Sequence, residues 1–175
     1  MKNNLLKKVL ITLLVILGLI QFIPSSKNQS EALTDRDITK LVPVSDSVLQ
    51  ILRTSCFDCH SNHTNYPWYT SVQPVGLWTD NHVKEGKEEL NFSEFASYDA
   101  EKQLKKFKKM KEELEDSEMP LFSYTLIHRD AVLTPEQSSI LIAWANESMN
   151  LIKPQAETSG QTKEGENEEK ESDED

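Results

Sequence analysis

After a polar and basic start, the chain is apolar at nearly every position from Val9 to Ile23, interrupted by Thr12, Gly18 and Gln21 and closed by Pro24. The pattern then changes. Residues 25–42 are polar, rich in Ser, Asn, Lys, Glu and Asp, and read as a linker. From Pro43 onward apolar residues recur at helical spacing. Val48, Ile51 and Leu52 follow Ser47 and Gln50, a capping-box pair that predicts a helix start. Gln73 to Leu90 reads as a second helix, with Val75, Trp78, His82 and Val83 on one stripe, and Asn91-Phe92-Ser93 breaks it. A third runs from about Tyr98 to Glu115 on Leu104, Phe107, Met110 and Leu114. Thr134-Pro135-Glu136-Gln137 opens the last, whose apolar face is Ile140, Leu141, Trp144, Ala145 and Met149. The expectation is an all-α domain over residues 43–152, a small helical bundle whose closing helix crosses the first.

The ends are of another kind. Lys2, Lys7 and Lys8 before the apolar run form the n-region and h-region of an export signal. No small-x-small triplet or lipid-attachment cysteine follows Ile23, so residues 1–24 are expected to stay as an anchor. Counted from Leu5, with Lys7 and Lys8 reaching the headgroups, the helix is roughly 28 Å long, close to the ~30 Å hydrocarbon core. The basic N-terminus then sits in the cytoplasm and everything after Pro24 on the other side of the membrane, as a single-pass protein. At the other end, the net charge of −10 is concentrated after Pro154, where nine acidic residues face only Lys163 and Lys170. Residues 153–175 are expected to be a disordered acidic tail.

The chemistry centres on Cys56-Phe57-Asp58-Cys59-His60. Cys-x-x-Cys-His is the pattern of c-type haem attachment. On one helical turn it puts two thiols, for thioether bonds to the haem vinyl groups, beside an imidazole that can serve as axial iron ligand. Two other readings stand beside it. A structural zinc site needs four ligands, and with two cysteines in the chain it must recruit His60 or His63 and a distant group. A redox dithiol lacks the surrounding βαβ pattern. Ser, His and Asp form no recognisable hydrolytic set, there is no Gly-rich phosphate loop, and no nucleic-acid partner is expected.

Two further stretches bear on that site. Tyr66, Trp68 and Tyr69, in a loop marked by Pro67, are expected to wall a cofactor pocket. Met119-Pro120, in a loop ahead of the last helix, offers a thioether as distal iron ligand, with His128, His82, His63 or an open position as the alternatives. The third helix carries Lys102, Lys105, Lys106, Lys108, Lys109 and Lys111, either a steering face for acidic redox partners or an ordinary solvated face. Its acidic end, Glu112 to Asp116, opposes the helix dipole and predicts fraying.

Taken in order, Cys56-Phe57-Asp58-Cys59-His60-Ser61-Asn62, Tyr66-Pro67-Trp68-Tyr69, Pro74, Trp78, His82, Gly86, Leu90-Asn91-Phe92-Ser93, Met119-Pro120, Tyr124, His128, Ala131, Leu133 and Trp144 resemble the bacterial haem-binding domain family with a single Cys-x-x-Cys-His motif. The likeness covers about Val44 to Asn150, with Phe122 and Arg129 where such sequences commonly have proline. It implies one covalent haem c on Cys56 and Cys59 with His60 on the iron, attached on the outer side of a bacterial inner membrane with the soluble domain in the periplasm, in a cytochrome c-like bundle. The function expected is one-electron transfer between periplasmic or membrane redox proteins. A haem-based sensor or peroxidase-like accessory protein with an open distal site is the alternative.

Overall fold

Helix-forming stripes dominate the chain, and the computed structural model is all-helical over the residues it describes, 2–30 and 34–171, with side chains described in 4–30 and 34–157. The helices there are α1 (Lys2–Ile20), α2 (Asp46–Ser55), α3 (Phe57–His60), α4 (Val75–Glu89), α5 (Ala100–Glu115), α6 (Phe122–Thr125) and α7 (Pro135–Glu171). Short 3-10 turns lie between them, and an isolated bridge pairs Gln29 with His63.

The core forms where α5 and α7 pack along each other and α2 closes against them. Val48, Ile51 and Leu52 of α2 are buried as their spacing requires. So are Phe107 and Leu114 of α5, and Leu141, Trp144, Ala145 and Ile152 of α7. Edge-to-face aromatic contacts join Phe95 to Phe107 (4.9 Å) and Phe107 to Trp144 (5.4 Å), and the Trp144 indole N–H donates to the Pro43 carbonyl at 2.9 Å. The α7 capping box is present in both directions: the Gln137 amide donates to Thr134 Oγ1 at 3.2 Å and the Thr134 amide to Gln137 Oε1 at 2.9 Å. The α2 cap is Ser45 rather than Ser47; its hydroxyl accepts from the Val48 amide at 3.3 Å.

The membrane placement expected from the leader is corrected. Among the described residues no helix is long and apolar enough to cross a membrane. The first turns of α1 are spent on Asn3, Asn4, Lys7 and Lys8, which leaves Val9 to Ile20, about 18 Å against a ~30 Å core. The chain then leaves the helix, and Gln21 is used by the domain. Its Nε2 donates to the Gln73 carbonyl at 3.0 Å, and its Oε1 accepts from the Gln73 amide at 2.9 Å.

Residues expected as a linker are also part of the fold. Ile38 is fully buried and Val42 nearly so, and both join the main core. Asp37 caps the turn Ile38–Lys40 through the Thr39 amide, and Arg36 pairs with Glu94 at 2.7 Å. Polar composition concealed these contacts because the apolar residues involved are few and widely spaced.

At the C-terminus the backbone continues as α7 through Pro154 to Glu171, where a disordered tail was expected; the last four residues lie outside the described ones. Gln, Glu, Lys and Ala are good helix formers, so the backbone can extend without an apolar face, and Ile152 is the last residue in the core. Fraying of α5 is not seen either. Ser117 takes a left-handed conformation (φ 57°), and the Glu118 amide donates back to the Glu113 carbonyl at 3.0 Å, a Schellman-type stop. Glu112 and Glu115 face Lys108 and Lys111 one turn earlier, which offsets their opposition to the dipole.

Candidate functional site

Cys56-Phe57-Asp58-Cys59-His60 forms one tight turn where α2 gives way to α3. The Cys59 and His60 amides both donate to the Cys56 carbonyl, at 3.2 and 2.9 Å, so the two sulfurs and the imidazole share one turn of backbone. This turn forms one wall of a cavity of about 420 Å³, within the range of small-molecule and cofactor sites. Gly86 and Glu89 of α4, Lys106, Met110 and Leu114 of α5, and Met119, Leu121 and Tyr124 of the segment after α5 supply the others, with Leu90, Phe92 and Leu133 adding apolar surface.

His60 is the most constrained of these groups. Its Nδ1 lies 2.8 Å from the Gly86 carbonyl oxygen and 2.9 Å from that of Leu90. Two acceptors at that nitrogen require it to carry the proton, which leaves Nε2 as the lone-pair nitrogen for a metal. Burial depresses the His60 pKa, against the opposing pull of those two carbonyls, so the neutral ring is favoured. The Leu90 carbonyl is released because α4 ends there and the chain turns extended, while the Gly86 carbonyl accepts the Leu90 amide at 2.8 Å and has a second lone pair for His60.

The two thiols are pushed up by burial, Cys56 to about 12 with Cys59 beside it, and Cys59 to about 11 with Asp58 beside it. Both remain partly exposed at the cavity, but raised pKa values disfavour the thiolate that a redox dithiol uses. Zinc fares no better. Among the described residues no group of three His, Cys, Asp or Glu side chains could hold a metal ion. A haem iron needs less from the protein, since the macrocycle supplies four nitrogens and the chain one or two axial ligands. The donor set here, a half-buried imidazole with a free Nε2, two thiols and a thioether around a largely apolar cavity, fits that requirement.

Met119 lines the cavity as expected of a distal ligand. The stop of α5 aims it there: its amide reaches the Glu113 carbonyl at 3.4 Å, and Pro120 follows through a cis bond. The histidine alternatives are placed elsewhere or otherwise engaged. His128 stacks on Tyr124 (centroids 4.2 Å) and pairs through Nε2 with the Tyr69 hydroxyl at 2.6 Å. His63 is exposed. His82 does line the cavity, but it lies against Trp78 and its Nδ1 is 3.0 Å from the Trp78 carbonyl.

Other expected site residues are not brought together. Tyr66 and Trp68 are not among the lining residues, and Trp68 is 81% exposed. The loop that carries them is drawn outward by Asn28, whose amide donates to the Tyr66 hydroxyl at 2.9 Å and whose Nδ2 donates to the Ser61 carbonyl at 2.8 Å. The aromatics brought beside the motif include Phe92, whose ring lies 5.5 Å from Phe57 and 6.3 Å from His60, and Tyr124. Its hydroxyl donates to Asp58 Oδ2 at 2.8 Å, and burial followed by the Asp58 charge pushes its pKa upward. No spacing rule connects residues 58 and 124, so periodicity had no means of pairing them. The stripe read on α4 is likewise rotated: Gly76 and Val83 are buried, while Val75 and Trp78 are exposed. Glycines carry no apolar signal, yet two of them set the contact face of this helix.

The lysine face of α5 is largely neutralised. Lys105 pairs with Glu101 (2.6 Å), Lys108 with Glu112 (3.7 Å), Lys111 with Glu115 (3.6 Å) and Lys109 with Glu89 (2.9 Å). Its long-range field is correspondingly smaller than a count of lysines suggests.

No curated protein and no solved structure matches the chain. The haem-binding domain family model matches residues 15–147, most of the chain, and takes in the end of α1, the Cys-x-x-Cys-His turn and every cavity wall. The protein therefore belongs to the haem-binding domain family.

Proposed function

We propose that this chain is a monohaem c-type electron carrier, with haem joined through thioethers to Cys56 and Cys59, His60 as the proximal iron ligand and Met119 as the distal one. The observation that carries the reading is the pair of carbonyls, Gly86 and Leu90, on His60 Nδ1, because that restraint fixes the tautomer and orientation that offer Nε2 to a metal. Bound haem supplies a reversible one-electron couple. The chain's own residues hold and tune it. His60 is fixed in tautomer and direction, the thioether of Met119 favours the reduced metal, and Leu90, Phe92, Met110, Leu114 and Leu133 limit water. No side chain is assigned a bond-making step, and the partners of such a carrier are other redox proteins.

Intact mass after expression with and without haem-attachment machinery tests the reading. One added haem mass is expected, lost in the Cys56→Ala, Cys59→Ala variant. The ferric protein should show the weak red charge-transfer band of a methionine-bound iron, and Met119→Ala should abolish it and let the reduced protein bind CO. Colourless protein of unchanged mass would refute the haem reading. High-spin iron that binds CO in the unaltered protein would instead favour the sensor or peroxidase-like alternative.

A further inference from the structure

We propose that Lys106 and Lys109 form a carboxylate subsite that anchors the two propionates of the haem, an inference that rests on the haem reading above. The lysines are three residues apart on one face of α5, and both line the cavity. Among the described residues they are the only lysines or arginines that do so.

The state of Lys106 is the telling observation. Its side chain is only 17% exposed, and its nearest carboxylate oxygen, on Glu89, is 3.9 Å away, outside hydrogen-bond reach. Glu89 instead gives its short contact, 2.9 Å, to Lys109. The stem is covered while, among the described residues, the ammonium meets no hydrogen-bond acceptor, so its three N–H donors are left for a close anion. The other lining carboxylates do not supply one. Asp58 holds Tyr124 and Asn65, and Glu85 accepts from Asn81 at 2.7 Å. Glu113 also lines the cavity but forms no ion pair with either lysine.

Charge balance points the same way. Four lining carboxylates, Asp58, Glu85, Glu89 and Glu113, already outnumber the two lysines. A ligand that brings two more carboxylates against these walls finds its favourable contacts on the two ammonium groups, since a position beside the lining acids adds like charge to like. Lys106 then gains the close anion it lacks, and Lys109 shares its charge between Glu89 and a propionate.

The test uses the full chain with haem attached and reads the midpoint potential against pH. Paired propionates stay ionised, so the unaltered protein should give a level profile from about pH 8 to about pH 5. In Lys106→Gln, Lys109→Gln the propionates lose their cations beside Glu89 and Glu113 and take up protons within that range. Protonation removes negative charge near the iron and favours its reduced form, so the potential should rise as pH falls. Lys106→Arg should restore the level profile. His82, Tyr124 and the remaining carboxylates are common to all variants. Adding Glu89→Gln and Glu113→Gln to the double variant removes the lining carboxylates that interact with these lysines, and the slope should persist. A double variant whose profile runs parallel to that of the unaltered protein would overturn the subsite while leaving the haem reading intact, as would a slope that disappears once Glu89 and Glu113 are replaced. Protein that carries no haem by mass and absorbance would overturn both.

Discussion

Gly86 and Cys59 meet backbone to backbone: a methyl group on Gly86 would stand 2.8 Å from the Cys59 carbonyl oxygen and 3.1 Å from its Cβ. This contact lets α4 approach the Cys-x-x-Cys-His turn closely enough for its C-terminal carbonyls to hold His60. Position, rather than glycine flexibility, is what the site requires.

Gly86→Ala should therefore be destabilising, although alanine is the better helix former. Propensity favours the variant by about 1 kcal/mol, while overpacking against rigid backbone costs about 1–3 kcal/mol. Chemical denaturation should show a lower midpoint, and the yield of haem-bearing protein should fall. An unchanged midpoint and yield would mean that α4 can shift without consequence.

His60 makes the haem-free chain sensitive to acid. Its folded pKa is depressed by burial, so between that value and the ordinary value of about 6.5 the unfolded chain binds more protons than the folded one. The contribution of His60 is full above about pH 6.5 and is lost as pH falls below it. Urea midpoints at about pH 7.5 and about pH 5 should differ more for the unaltered chain than for His60→Gln. Equal differences would show that the ring does not stay neutral when buried.

Tyr124 is tied to the motif through Asp58 rather than through packing alone. Tyr124→Phe keeps the ring that stacks on His128 and removes the 2.8 Å hydrogen bond to the carboxylate. Hydrogen bonds to charged groups are worth about 1.5–3 kcal/mol, and Asp58 keeps Asn65 as a partner, so a loss of about 1–2 kcal/mol is expected in the denaturation midpoint. The slope of the transition should stay the same.

Asn28 straps the N-terminal segment to the loop after His60. It gives its amide to Tyr66, its Nδ2 to Ser61 and Thr64, and accepts from Lys87 Nζ at 2.7 Å. Asn28→Ala should lower stability by about 1–3 kcal/mol, since several partly buried groups lose a partner together. Hydrogen exchange should rise selectively at residues 61–67. Protection unchanged in that loop would show that the segment is held by Gln21 and Gln73 instead.

Local pattern was enough for the parts of this protein that are themselves local. The all-helical class, the stripes of α2, α5 and α7, the Thr134–Gln137 cap and the Cys-x-x-Cys-His turn are each written within a few consecutive residues. Met119 was singled out by residue type and a following proline, and the fold places it in the cavity wall.

Tertiary structure decided everything that joins residues remote in the chain. It chose the carbonyls of Gly86 and Leu90 to orient His60, and it set Tyr124 rather than Tyr66 or Trp68 beside the motif. It left the Lys106 ammonium at the cavity wall beyond hydrogen-bond reach of Glu89, and made Asp37, Ile38 and Val42 part of the fold. Periodicity reports which side of an element is apolar. It carries no information on backbone carbonyls, on glycines that allow close approach, or on which polar side chains meet, because those follow only from how the finished helices lie against one another.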